Sequence, residues 1–192
     1  MSGKHNRDKD TQEQELWDRI VECEGTERAE VFDELSHIAY HRDDYTQCLH
    51  LLESSIEIYY KHGLDNYVKE LIHLYEGKAL ALRNLERYKE SADTFEDLAK
   101  LYQINEDDAG FIRAKRAAAC DWFEAEEWQK SLDSHCLARD AIDTDATPFT
   151  MGVDLLNIAT AQSELDLHTE ALENYIHSRK YFKEIKNPEM VN

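Results

Sequence analysis

The sequence predicts an all-α protein built from about four repeated helical hairpins behind an N-terminal helix. Three observations carry this. Glycine and proline are scarce, 6 and 2 in 192 residues, which leaves little material for β-hairpins or glycine-rich loops. Apolar residues recur at helical spacing from about Leu16 to Ile185. One pattern of small and bulky residues then returns every 40 to 43 residues, marked by Tyr45, Tyr88, Trp128 and His168.

The elements follow in order. Residues 1–10 are polar with no apolar stretch behind them, which predicts a disordered N-terminus and no secretory signal. A capping box at Thr11 and Gln14 starts a helix that runs to Gly25, so residues 11–26 form a capping helix with Leu16, Trp17, Ile20 and Val21 on its apolar stripe. Repeat units follow at 27–64, 65–105, 106–146 and 147–186, with 187–192 as a tail or the start of a further repeat. Helices are expected over 27–41, 45–62, 66–85, 88–103, 107–125, 128–143, 148–165 and 168–186. Their boundaries have chemical reasons. Arg42-Asp43-Asp44 breaks the first hairpin, Gly63 closes a helix with Asp65 as the next N-cap, Asn105 caps another, and Thr147-Pro148 supplies a cap with a first-turn proline.

Within each unit the small residue, Ser36, Ala79, Ala119 or Ala159, lets two helices approach closely. The flanking bulky residues fill the groove of the next hairpin. In the first unit Leu35 and Ala39 precede Tyr45, while Cys48, Leu52 and Ser55 follow it; Leu82, Ser91, Phe95 and Leu98 take the matching places around Tyr88. This order resembles the tetratricopeptide repeat (TPR) family over residues 29–186, in a long-period form of about 40 residues instead of the usual 34. The resemblance implies a right-handed α-α superhelix. Lys78, Lys115, Gln162 and His168 depart from the family's usual bulky or aromatic choices.

The resemblance also implies that the first helix of each hairpin lines a concave face that binds a peptide or helix of a partner. Carried onto this chain, that face holds Asp33, His37, Tyr40 and His41, then His73, Leu80, Arg83 and Asn84, then Arg113, Arg116 and Phe123, then Leu156. Arg113 and Arg116 lie one turn apart, and guanidinium forks match carboxylates. An acidic segment or C-terminal carboxylate is therefore the expected ligand near Arg83, Arg113 and Arg116, with Phe123, Leu80 and Leu156 as apolar contacts. The alternative is that neighbouring Asp and Glu satisfy these arginines. The Lys, Asn and Arg set with which the family clamps chaperone C-termini is not found here.

Composition limits the function. Against 22 Lys and Arg stand 41 Asp and Glu, a formal charge of −19, which argues against direct binding to nucleic acid or an anionic membrane. Charges interrupt every apolar run well short of a membrane span. Cys23, Cys48, Cys120 and Cys136 are widely spaced and read as reduced thiols of a cytoplasmic protein. No motif for nucleophilic, phosphate-binding or dinucleotide chemistry is present, so neither an enzyme nor a cofactor is expected. His37 and His41, with Asp33 a turn earlier, have metal-ligand spacing, but they are read as a groove pair and no metal is assigned.

The leading expectation is a non-catalytic scaffold that binds a protein segment. The alternatives are an acidic decoy that mimics DNA before a cationic partner, or a helical-repeat sensor of a signalling peptide. Tyr175, Tyr181, Phe182 and Ile185 on the last helix suggest either a longer array or self-association through that helix.

Overall fold

The computed structural model describes residues 2–141 and 147–186, with side chains from residue 11 onward. Among these the chain is all-α, as expected, with nine helices: α1 (Ser2–Glu22), α2 (Gly25–His41), α3 (Tyr45–His62), α4 (Val68–Asn84), α5 (Tyr88–Ile104), α6 (Asp108–Glu124), α7 (Trp128–Asp140), α8 (Pro148–Glu164) and α9 (His168–Lys186). A 3-10 turn, Leu64–Asn66, precedes α4. The chain divides within α5 into two compact units, residues 1–94 and 95–192.

In the first unit α1 packs on α2, α2 on α3 and α3 on α4. Val31, Leu35, Leu52, Leu71, Leu74 and Leu82 are buried between them, and Ser36 and Ala79 take the close-approach positions at 2% and 0% exposure. The Ser55 hydroxyl donates to the Ala29 carbonyl at 2.9 Å, which satisfies a buried polar group across the α2–α3 hairpin. In the second unit α6 packs on α7, α7 on α8 and α8 on α9. Ala119 and Ala159 are fully buried, and Ser178 donates to the Gly152 carbonyl at 2.6 Å, the counterpart of the Ser55 bond to Ala29 three hairpins earlier.

Each hairpin turn is built the same way. Asp43, Glu86, Glu126 and Asp166 adopt φ of 59°, 57°, 60° and 59°, and Glu106 between α5 and α6 adopts 55°. The amide before the next helix reaches back to the helix just ended, as from Glu127 to the Trp122 carbonyl at 2.9 Å. Five acidic residues thus occupy the left-handed region that glycine or asparagine fills most readily.

Several expected boundaries are corrected. Helix α1 begins at Ser2, not Thr11, because neither glycine nor proline interrupts residues 4–24 and the polar run continues the helix. Asp65 lies in the 3-10 turn and Tyr67 stands at the N-cap of α4 without a side-chain cap. Asp107, not Asn105, caps α6, accepting from the Gly110 amide at 2.8 Å. Thr147 caps α8 as expected, accepting from Thr150 at 3.2 Å ahead of Pro148. The expected end of α7 at 143, the 146 boundary and residues 187–192 fall outside the described residues.

The residues that depart from the TPR pattern have polar partners. Lys78 pairs with Glu53 at 3.0 Å. The Lys115 side chain, 13% exposed, pairs with Glu96, which also accepts from Ser134 at 2.7 Å. Gln162 accepts from Asn174 at 2.8 Å.

Candidate functional site

In the first unit Asp33, His37 and Tyr40 come from α2, and His73 and Leu80 from α4. Together they line one hollow of about 190 Å³, closed at its base by Ser36, Cys48, Leu52 and Gly77 and completed by Glu76. Helical spacing explains the convergence: residues three and four apart share a face, and α2 and α4 present equivalent faces of successive repeats. Asn84 donates to the Tyr40 hydroxyl at 3.2 Å and to the Leu80 carbonyl at 2.8 Å, which fixes one rim. The His41 ring meets Tyr40 edge-on at 6.4 Å, outside the lining, and Arg83 does not line the hollow either.

The hollow has a polar end and an apolar end. At the polar end the Nε2 atoms of His37 and His73 lie 3.1 Å apart, with their rings stacked at a centroid distance of 5.3 Å. The Asp33 carboxylate lies beside both, its Oδ1 3.6 Å from His37 Nε2 and its Oδ2 3.5 Å from His73 Nε2. At the apolar end Leu80 is 40% exposed above Leu52. Burial first, then the charges of Asp33 and Asp44, push the Cys48 thiol up to about 11, so it serves as an apolar wall and not as a nucleophile.

The second unit places the expected arginines differently. Arg116 is engaged from within: its Nε donates to Asp154 Oδ1 at 2.8 Å and its Nη2 to Oδ2 of the same carboxylate. Arg113 stacks over the Tyr102 ring at 5.7 Å and reaches Asp107 at 4.0 Å, leaving 63% of its side chain exposed. Phe123 packs edge-on against Trp128 at 4.8 Å and, with Cys120, Glu124, His135, Asn157 and Thr160, lines a hollow of about 210 Å³. Burial holds the His135 imidazole down at about 4, against the opposing pull of Asp154, so it is neutral in the fold.

Leu156 joins another hollow, of about 490 Å³, with Tyr175, Ser178 and Phe182, where Arg179, Lys183 and Lys186 supply positive charge. The sequence reading passed over these three cations because they lie on the second helix of the last hairpin, away from the face the family uses. Their i, i+4 and i+7 spacing on α9 was the available signal. On the same helix Leu172, Ile176 and Ile185 are exposed at 60%, 47% and 47%.

No family model and no curated protein matches the sequence. Among solved structures the chain is similar to the TPR-like repeats of a putative kinesin light chain from Podosopora anserina, with a TM-score of 0.74 and 12% identity over 95% of this chain and 89% of that one. It is similar to the apo form of RapI with a TM-score of 0.67 and 15% identity, over 84% of this chain and 45% of RapI. It is also similar to the Rap conjugation gene regulator of plasmid pLS20 in complex with the Phr* peptide, with a TM-score of 0.53 and 15% identity, over 93% of this chain and 48% of that one. The chain therefore spans less than half the length of both Rap proteins. The hairpin order, the buried small residues and the likeness to these structures agree that in fold this chain is a TPR-like helical-repeat protein.

Proposed function

We propose that the chain is a non-catalytic interaction module that takes a peptide or helix of a partner protein against the first helices of its hairpins. The observation that carries this reading is the hollow of the first unit: Asp33, His37, Tyr40, His73 and Leu80, named from repeat position alone, line one concavity. At about 190 Å³ it is too small for a typical small-molecule ligand and large enough for one apolar side chain, with polar groups beside it to bind backbone. The Rap regulator's complex with the Phr* peptide lends support to peptide binding on this kind of fold, and to the narrower reading of a signalling-peptide sensor.

An acidic partner segment fits the second unit, at a different place from the one the sequence indicates. Arg116 already holds Asp154, whereas Arg179, Lys183 and Lys186 surround the apolar hollow at Leu156. The exposed Leu172, Ile176 and Ile185 of α9 support self-association through that helix. No described helix is long and apolar enough to cross a membrane.

The test is selection from a random-peptide library on the full chain, with counter-selection on Leu80→Glu. Enrichment of an apolar anchor motif that Leu80→Glu does not retain supports the reading; enrichment indifferent to Leu80→Glu removes it.

A further inference from the structure

We propose that Asp33, His37 and His73 form a binding site for a first-row divalent transition metal, with zinc as the best-fitting ion. The ligands come from two successive repeats, two from α2 and one from α4, and the site keeps Asp33 and His37 of the set that sequence spacing brings forward while His73 takes the place of His41.

The geometry carries the assignment. In a tetrahedral zinc site with bonds of about 2.0–2.1 Å, neighbouring donor atoms stand about 3.3 Å apart. Here the two imidazole nitrogens are 3.1 Å apart, and the nearer carboxylate oxygens stand 3.6 and 3.5 Å from them. One ligand atom from each of the three residues falls within 4.8 Å of the others. The carboxylate distances are long for hydrogen bonds and right for donors that share an ion. A second observation points the same way: Asp33 Oδ1 is buried and has no hydrogen-bond partner, a cost that a bound cation would remove.

The donor set selects the metal. Two neutral imidazoles and one carboxylate suit zinc and its first-row neighbours better than calcium or magnesium, which favour oxygen throughout. Three protein ligands leave a fourth position, and the surrounding hollow has room for a water molecule or a side chain there. His37 and His73 are 55% and 53% exposed, so an ion can reach them without opening the core.

The experiment is calorimetric titration of the full chain with zinc chloride, repeated on His37→Ala, His73→Ala and His41→Ala. Far-UV circular dichroism confirms that each variant is folded. One equivalent of zinc is expected in the wild type, with affinity lowered at least about tenfold in His37→Ala and His73→Ala and unchanged in His41→Ala. Asp33→Asn, which keeps shape and removes charge, is expected to weaken binding as well. Absence of zinc binding in the wild type overturns the proposal, as does a His73→Ala variant that binds like the wild type. No partner is needed for this titration, so its result is independent of the peptide-binding reading.

Discussion

Arg116 and Asp154 form a two-pronged ion pair between α6 and α8, with Asp154 only 1% exposed. Its position in the repeat explains why it matters. The residue five before the small close-approach residue is Val31, Leu74 or Ala114 in the other units, and all three are buried and apolar. In the fourth unit an aspartate stands there, and the arginine of the preceding unit balances it. Removing the arginine alone leaves an uncompensated buried charge. Arg116→Met is therefore expected to cost about 3–5 kcal/mol in urea unfolding, while Arg116→Met with Asp154→Leu recovers most of it. A single variant within about 1 kcal/mol of the wild type would show that the pair is not a buried one.

Beside this pair lies a pH dependence. His135 is 3% exposed, and its Nδ1 is buried with no hydrogen-bond partner. Its folded value of about 4 lies below the ordinary imidazole value of 6.5. Between these two values the unfolded chain binds the proton and the folded chain does not, so acidification favours unfolding. The contribution is complete above about pH 6.5 and falls away as pH drops toward 4, on the order of 3 kcal/mol in all. Leu52 and Phe95 occupy the matching place in the first two repeats, which makes His135→Leu the natural variant. Unfolding free energies at pH 7 and pH 4.5 are expected to differ less in His135→Leu than in the wild type; parallel losses would exclude this histidine as the source.

The hairpin turns hold strain that can be relieved one residue at a time. Glu126, at φ 60°, carries a side chain where a left-handed conformation costs roughly 1–2 kcal/mol. Glycine removes that cost but loses more backbone entropy. Glu126→Gly is expected to gain about 0.5–1 kcal/mol and raise the melting midpoint by a few degrees, whereas Glu126→Val lowers it. A Glu126→Gly variant that melts below the wild type would mean that the glutamate side chain contributes more than its backbone strain costs.

How much of this was legible in the sequence depends on the range of the interaction. The hairpins were, because Ser36, Ala79, Ala119 and Ala159 sit at a fixed distance from Tyr45, Tyr88, Trp128 and His168, and close helix contact requires small residues there. Capping at Thr147 was equally local. Asn105 was expected in the place of Asp107 because both are good capping residues, and only the backbone path separates them. Of the left-handed acids, Asp43 falls in the break read at Arg42-Asp43-Asp44, whereas Glu86, Glu106 and Glu126 gave no signal, since Glu is a strong helix former and its turn conformation is imposed by the flanking helices. At the site, repeat position located Asp33, His37, Tyr40, His73 and Leu80. It did not reveal that His73 faces His37, 36 residues away, or that Arg116 is claimed by Asp154, 38 residues away. Gly110 was likewise unremarkable in sequence, yet a Cβ there would lie 2.2 Å from the Tyr102 ring, so the glycine sets how closely α5 and α6 meet.

Peptide binding at the first unit's hollow is the central claim, and the most direct measurement is the dissociation constant of a library-selected peptide for the wild type and for Leu80→Glu, by fluorescence anisotropy. Leu172→Glu, on the exposed face of α9, serves as a control of equal charge change. A charge placed at an apolar anchor is expected to weaken binding at least about tenfold, with the control unchanged. Equal affinity of the wild type and Leu80→Glu for every selected peptide would contradict the account.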